Sequence, residues 1–512
     1  MLSYLSSFFW AQPATGETSV SRRAEGKASC QDAEDEEILT ADNVEVILAK
    51  YDHPVIDRLR ELIEVGGAGN WPPRATYDDT WPAPLRAYES IYHEVAPFMT
   101  VAESCLDDAE NRKTIDAFRE RLRGRLEERI DLGAVEVALA SSDEAALKAE
   151  GDEEFSPPAW MGFLACIGFL RHAYRWGIVP IVREAQNEPT LEFPHELDVP
   201  WKVLQQRFGI TSPGGNLTSN VYANCDFTES RGLDTAVSFS SFIYERARPC
   251  RYECAREWNS RMFYEMEEKA LPMYRLMALA IARLSPTNDS SPATPATPAT
   301  PATPATPATP ATPATPDIPG ALHALALEHT LLRSVLRFFY DNLKDENLST
   351  PLWMAYCQGF HGWTLDGIDG VSGGLSLVIR VLDSFLGIKP FPSEEVEAIH
   401  LPLAQRRWLN YLRELDIRRV ARERGEMEVV DALEKMVAQL RIWRMGHMRR
   451  MVPYEGVARP ERKKMTAGKS VVDDQILDGY GKGRSEEGLA PEEDAMVEHL
   501  QAQLAQRLAE TR

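Results

Sequence analysis

The amino-acid sequence predicts a mostly α protein, because apolar residues recur at helical spacings through most of its 512 residues. The stretch NVEVILAKYDHPVIDRLRELIEV, shortly after Ile38, is typical. The period-two alternation that marks a half-buried β-strand is scarce. A chain of this length exceeds one ordinary core, so we expect at least two packed units with tails.

The composition argues against several functional classes. Asp and Glu number 78 against 56 Lys and Arg, and the formal charge of −22 repels phosphate, so we expect no nucleic-acid partner. No stretch reaches the roughly 18 apolar residues of a spanning helix, so we expect no membrane partner. The first residues lack the basic start of a secretory signal, and the seven cysteines are an odd, scattered set. These features favour a cytoplasmic, reduced protein.

The first part of the chain divides into three kinds of segment. Residues 1–38 end in an acidic run and are too polar to form a core, which predicts a disordered tail. A helical pattern follows to about residue 150, interrupted by the proline-rich stretch 71–84. Residues 157–183 are the most apolar of this half, and the two prolines that open them suit a first helical turn.

A three-residue repeat separates two helical segments. Eight copies of Ala-Thr-Pro occupy residues 293–316. A proline at every third residue prevents a helix and favours an extended polyproline II conformation. Helix-spaced residues at 257–282 and 320–342 flank the repeat, so we interpret 290–318 as a surface loop between two helices.

The second half is also helical. A glycine-dense break at 359–374 precedes an apolar helix at 375–388. Residues 403–452 form a long helical region with a hinge near Gly425, and a helix-like segment at 491–509 closes the chain.

His447 belongs to an apolar helical stripe, together with Leu433, Met436, Leu440 and Trp443. A histidine in such a stripe is most often a satisfied core residue. The alternative is an axial ligand that faces a haem iron. Residues 441–464 hold eight Lys or Arg and two acids, which suits a dianionic cofactor such as haem, although a solvated basic face would look the same.

A second constellation is Gly370-Val-Ser-Gly-Gly-Leu-Ser376, directly before an apolar helix. Its small residues let the backbone approach a flat ligand, and the helix start offers amides and hydroxyls to an anion. The alternative is a flexible loop with a serine cap.

These two constellations, in this order, resemble the indoleamine 2,3-dioxygenase family of haem enzymes. The glycine-rich segment runs into Leu382-Asp-Ser-Phe-Leu-Gly-Ile388, and Trp443-Arg-Met-Gly-His447 resembles the family's proximal signature. Ala173-Tyr-Arg-Trp-Gly177 and Leu401-Pro-Leu-Ala-Gln-Arg-Arg-Trp-Leu409 resemble two further motifs. The resemblance covers roughly residues 155–285 and 320–455.

The resemblance implies a domain division. A small, mostly helical domain would span 39–200, and a larger all-α haem-binding domain would span 201–455, interrupted by the repeat loop. The acidic tail 1–38 and a C-terminal loop and helix at 456–512 would complete the protein. We expect a monomer.

The resemblance also implies a function. Haem b would be bound through its iron by His447. Ser372 would donate a hydrogen bond to the substrate or to a haem propionate. Arg444 would form a salt bridge with a propionate or with a nearby acid, and the alternative is a surface role. O2 would be inserted across the indole C2–C3 bond of tryptophan or a related indoleamine, giving an N-formylkynurenine-type product of tryptophan catabolism. The alternatives are a haem protein of the same fold with an altered substrate or reaction, and a non-catalytic haem-binding or helical protein.

The expected substrate pocket departs from the family pattern. Its residues would be Ser372, Gly373, Phe263, Asn259 and Cys357. Asn259 and Phe263 replace an aromatic and a serine of the family's distal helix, and Cys357 replaces the arginine that grips the substrate carboxylate. Arginine is the residue best suited to bidentate carboxylate recognition, so its replacement would remove that recognition. The resemblance therefore supports haem binding more directly than it supports tryptophan turnover.

Overall fold

The structure is a computed structural model. It describes residues 38–64, 71–73, 75, 81–95, 108–148, 156–176, 191–224, 251–285, 315–344, 373–390, 393–451, 508–509 and 511. Helices account for 79% of the interpretable residues, and there is no strand among them, which confirms the mostly α prediction. The predicted acidic tail and nearly all of the Ala-Thr-Pro repeat and C-terminal segment lie outside this part of the chain.

Seven helices occupy the first part of the described chain. They are α1 Val44–Leu48, α2 Pro54–Ile63, α3 Ala83–Val95, α4 Asp108–Arg129, α5 Leu132–Lys148, α6 Pro157–Trp176 and α7 His195–Phe208. Pro54 suits the first turn of α2, and His53 caps that helix by accepting from the Val55 amide at 3.1 Å. Gly209, at φ 64°, ends α7 in the left-handed conformation that glycine adopts without strain.

Seven further helices follow in the described part. They are α8 Arg251–Leu284, α9 Ile318–Asn342, α10 Leu377–Phe385, α11 Glu394–His400, α12 Leu403–Leu415, α13 Ile417–Arg424 and α14 Met427–Met451. The predicted hinge near Gly425 is confirmed, because Gly425 has φ 75° and separates α13 from α14. No helix of the described residues has the length and apolar character needed to cross a membrane.

The buried apolar residues form two clusters. One is built from α3 to α7, and the other from α1, α2 and α8 to α14. The helices α1 and α2 pack against α8 and α12, and α7 extends past residue 200 within the first cluster. The domain division at residue 200 stays a prediction. Helical periodicity identifies the apolar face of α1 and of α2, but it does not show which other helices pack against that face.

The two helices that flank the Ala-Thr-Pro repeat are joined at their ends. The Asp317 amide donates to the Arg283 carbonyl at 2.9 Å, and Arg283 Nη1 donates to the Gly320 carbonyl at 2.8 Å. Asp317 also caps α9 through the Gly320 amide. The chain therefore leaves α8 and enters α9 at nearly the same place, as expected for a loop inserted between two helices.

Candidate functional site

His447 lies near the end of α14 in an aromatic enclosure. Its ring stacks on Trp443, one turn earlier, with centroids 5.4 Å apart and planes 23° apart. Phe339, from α9, lies 5.4 Å from Trp443 and 5.8 Å from His447, measured between ring centroids. Trp443 is buried, and His447 keeps a partly accessible surface. The predicted stripe is thus the inner face of α14, because Leu433, Met436 and Leu440 are also buried.

Two other predicted site residues reach the same enclosure through Phe339. Phe263, from α8, lies 5.7 Å from Phe339 between ring centroids. A Cβ atom placed on Gly373 would stand 3.0 Å from Phe263 Cζ, so a side chain here would require the Phe263 ring to shift by a few tenths of an ångström. Phe263, Gly373 and His447 therefore line one region, and Phe339, which sequence reasoning did not single out, joins them.

The His447 imidazole is neutral at physiological pH. Burial, together with the smaller effect of the positive charge of Arg444, lowers its pKa to about 4. Within the described residues neither imidazole nitrogen has a hydrogen-bond partner. A neutral imidazole is the form of histidine that ligates a metal, so this side chain has the protonation state that an axial haem ligand needs.

The described residues around the His447 imidazole are aromatic rings. No group of three or more His, Cys, Asp or Glu side chains that could hold a bare metal ion is found among the described residues. Haem needs one protein ligand, because the porphyrin supplies the others. A single imidazole among aromatic rings matches that requirement.

Arg444 is an internal residue and not part of a solvated basic face. Its Nη2 atom lies 2.5 Å from Asp383 Oδ1 on α10, and its Nη1 atom donates to Thr511 Oγ1 at 2.7 Å. Arg444, Asp383 and Thr511 are all buried. Two nitrogens of Arg444 already bind protein oxygens, so a contact of this side chain with the cofactor would have to form in addition to these bonds.

The Arg444–Asp383 pair is one end of a buried charge network. Arg380 lies 3.8 Å from Asp383 and forms an ion pair with Glu397 of α11, which also binds Arg413 of α12 at 2.6 Å. Three guanidinium groups thus face two carboxylates, and together they tie α10, α11, α12 and α14. The sequence analysis did not predict this network. Arg380 and Asp383, which lie three residues apart in an otherwise apolar helix, were the signal for it.

The start of α10 binds an anion, but the anion belongs to the protein. The Glu267 carboxylate of α8 accepts from the Val378 amide at 2.9 Å and from Ser376 Oγ at 3.1 Å. A carboxylate at this position is stabilised by the unpaired amides and dipole of the helix start. Ser376 occupies the N-cap position of α10, as the alternative interpretation expected, but its side chain donates to Glu267 and forms no cap hydrogen bond.

Several predicted site residues cannot be located. Cys357 and Ser372 lie outside the described residues, and Asn259 is within α8 but its side chain is not described. In the basic region, the described side chains are the exposed Arg441 and the buried Arg444. No protein-family model matches this chain, and no curated protein matches it significantly.

Proposed function

We propose that the protein is a haem-dependent dioxygenase of the indoleamine 2,3-dioxygenase type, with His447 as the axial ligand of haem b. The observation that carries the proposal is a neutral imidazole with no hydrogen-bond partner among the described residues, held in an aromatic enclosure beside Phe263 and Gly373. The reaction adds both atoms of O2 across the C2–C3 bond of an indole ring, giving an N-formylkynurenine-type product. Bound haem iron would supply the oxygen chemistry.

The side chains of the site have separate tasks in this proposal. Phe263, Phe339 and Trp443 exclude water and offer flat apolar surfaces to an indole ring. Gly373 allows the backbone to lie against the Phe263 ring without displacing it. Asp383 fixes Arg444, so the turn of α14 before His447 is held by a buried ion pair.

We expect this protein to bind the carboxylate of tryptophan more weakly than a family member that has the arginine. Cys357 replaces the arginine that binds this group in the family, and one bidentate pair contributes enough that its loss weakens binding by roughly ten- to a few-hundred-fold. Tryptamine and indole should therefore be disadvantaged less here than in a family member that has the arginine. Cys357→Arg should improve tryptophan binding selectively. A wild-type protein with a micromolar Michaelis constant for tryptophan would show that another residue grips the carboxylate.

The decisive experiment is spectroscopic. Purified protein loaded with haem should show a Soret band, and His447→Ala should abolish it or leave weakly bound haem that added imidazole restores. Circular dichroism of the same samples would show that the helices persist. The matched controls are His361→Ala and His400→Ala, which should keep the Soret band. Normal haem binding by His447→Ala, with loss in either control, would overturn the assignment.

We also propose a cytoplasmic, monomeric protein. The acidic charge and the cysteine usage favour this compartment. Cys166 is a buried free thiol, and burial raises its pKa well above the usual value, which makes it unreactive.

A further inference from the structure

Glu267 is a buried carboxylate that accepts hydrogen bonds from five donors among the described residues. Its Oε1 atom accepts from the Val378 amide at 2.9 Å, Ser376 Oγ at 3.1 Å and Tyr222 Oη at 3.3 Å. Its Oε2 atom accepts from Tyr274 Oη at 2.8 Å and Trp71 Nε1 at 3.2 Å. The residue is fully buried, and burial raises its pKa while these donors oppose the shift.

The stability of the core does not by itself require a carboxylate at position 267. Moving a carboxylate out of water is costly, and a well-packed apolar residue often gives equal or greater stability at such a site. What a carboxylate adds is direction, because each oxygen has to face its donors within a narrow range of distance and angle. Oε1 faces the turn that precedes α10, and Oε2 faces Trp71 and a tyrosine two turns further along α8.

The same region of α8 contacts that turn at a second point. Phe263 lies one turn before Glu267 and therefore on the same side of the helix. Gly373 is the first residue of the turn and lies against Phe263. Ser376 is the last residue of the turn, and it donates to Glu267, as does the amide of Val378 in α10. The turn between Gly373 and Ser376 is internally bonded as well, because the Ser376 amide donates to the Gly373 carbonyl at 3.1 Å.

We infer that Glu267 is a positioning residue, which holds the Gly373–Ser376 turn against Phe263 and thereby sets the width of the site beside His447. The turn lies against Phe263 at Gly373 and is bonded to Glu267 at Ser376, so the Glu267 hydrogen bonds oppose its movement away from Phe263. Phe263 contacts Phe339, and Phe339 contacts His447, so such a movement changes the aromatic enclosure. The identity of the ligand in this site rests on the proposed function, but the attachment of the turn does not.

Two variants separate the positioning role from a general structural one. Ser376→Ala removes a donor that belongs to the turn. Tyr274→Phe is the matched control, because it removes a donor to the same carboxylate from within α8 and leaves the bonds to the turn in place. Both variants lose one hydrogen bond to Glu267, so both should lose similar stability.

The first measurement is hydrogen exchange of the full-length protein, without haem. Ser376→Ala should speed exchange in peptides that cover 373–385 by about tenfold, the effect of losing one hydrogen bond to a charged group. Tyr274→Phe should leave these peptides within about twofold of wild type. Unchanged exchange in Ser376→Ala, or an equal increase in Tyr274→Phe, would overturn the inference.

The second measurement is carbon monoxide binding to the reduced, haem-loaded protein. Its association rate should change by at least about threefold in Ser376→Ala and should stay at the wild-type value in Tyr274→Phe. Equal rates in all three proteins would refute the link between the turn and the site. A protein that binds no haem but has the expected exchange pattern would refute the proposed function and support the attachment of the turn by Glu267.

Discussion

Glu328, in the middle of α9, should destabilise the protein at neutral pH. The side chain is fully buried on the same helix face as Leu325, Leu332 and Val335. Neither carboxyl oxygen has a hydrogen-bond partner among the residues that the structure describes. Burial raises the pKa of Glu328 well above its usual value of 4.5, because removal from water penalises the ionised form.

Glu328→Met tests this expectation. Methionine is unbranched, has a similar helix propensity and adapts to irregular space in a core. An unsatisfied buried polar group costs about 1–3 kcal/mol, so the variant should be more stable by about that amount at pH 7.5. At an unfolding entropy of about 2.1 cal/mol/K per residue, the melting temperature of a 512-residue protein should rise by about 1 °C for each kcal/mol.

The gain from Glu328→Met should depend on pH in a defined direction. The unfolded chain releases the Glu328 proton near pH 4.5, whereas the folded protein retains it to a higher pH. The folded state therefore binds more protons over this range, and stability falls as pH rises from 4.5 toward the raised pKa. The methionine variant lacks this loss, so its advantage should be large at pH 7.5 and should shrink toward pH 5.

The assay is urea and thermal unfolding of both proteins at pH 5, 6 and 7.5, followed by circular dichroism. Glu120→Met, at an exposed position of α4, is the control and should stay within about 0.5 kcal/mol of wild type at each pH. A destabilised Glu328→Met protein, or a gain that does not vary with pH, would refute the reasoning and indicate a partner for this carboxylate.

Two other perturbations have expected outcomes. Replacing residues 286–314 with a short Gly/Ser linker should change the melting temperature by no more than about 3 °C. Arg283 and Asp317 hold the ends of the two helices together, and loop length costs only about 0.6 kcal/mol per doubling. A larger loss in a calorimetric scan would contradict this. Asp383→Asn should cost about 3–5 kcal/mol in urea unfolding, since it leaves Arg444 buried without its acid, and a loss below about 1 kcal/mol would show that the pair is not a main contact.

Most of the helical architecture could be predicted from the sequence. Apolar spacing identified α6, α8, α9, α10 and α14, and the prolines at 71–84 marked the break between α2 and α3. The stripe that contains His447 could also be predicted, because helical periodicity decides which side chains share a face. The approach of Phe263 to Gly373 followed only from the family resemblance, since these residues are far apart in the chain.

The polar contacts could not be predicted, and the reason is combinatorial. The chain has 78 acidic and 56 basic residues, and nothing local shows that Asp383 selects Arg444 or that Glu267 selects the start of α10. Each of these pairs lies many residues apart, so the choice depends on helix packing. The glycine-rich segment did indicate an anion site, but the sequence could not show that the anion is a side chain of the same protein.

The two carboxylates have a common consequence, because they act on opposite ends of α10. Glu267 binds the start of this helix, where the dipole favours a negative charge. Asp383 lies in its last turn, where the dipole disfavours a negative charge, so Arg444 and Arg380 have to offset that cost. The nine residues of α10, about 14 Å at 1.5 Å per residue, therefore form a spacer with one end fixed to α8 and the other to α14. Since α8 carries Phe263 and α14 carries His447, the separation of the two sides of the candidate site is set by a buried helix with a charged contact at each end, and not by the apolar packing alone.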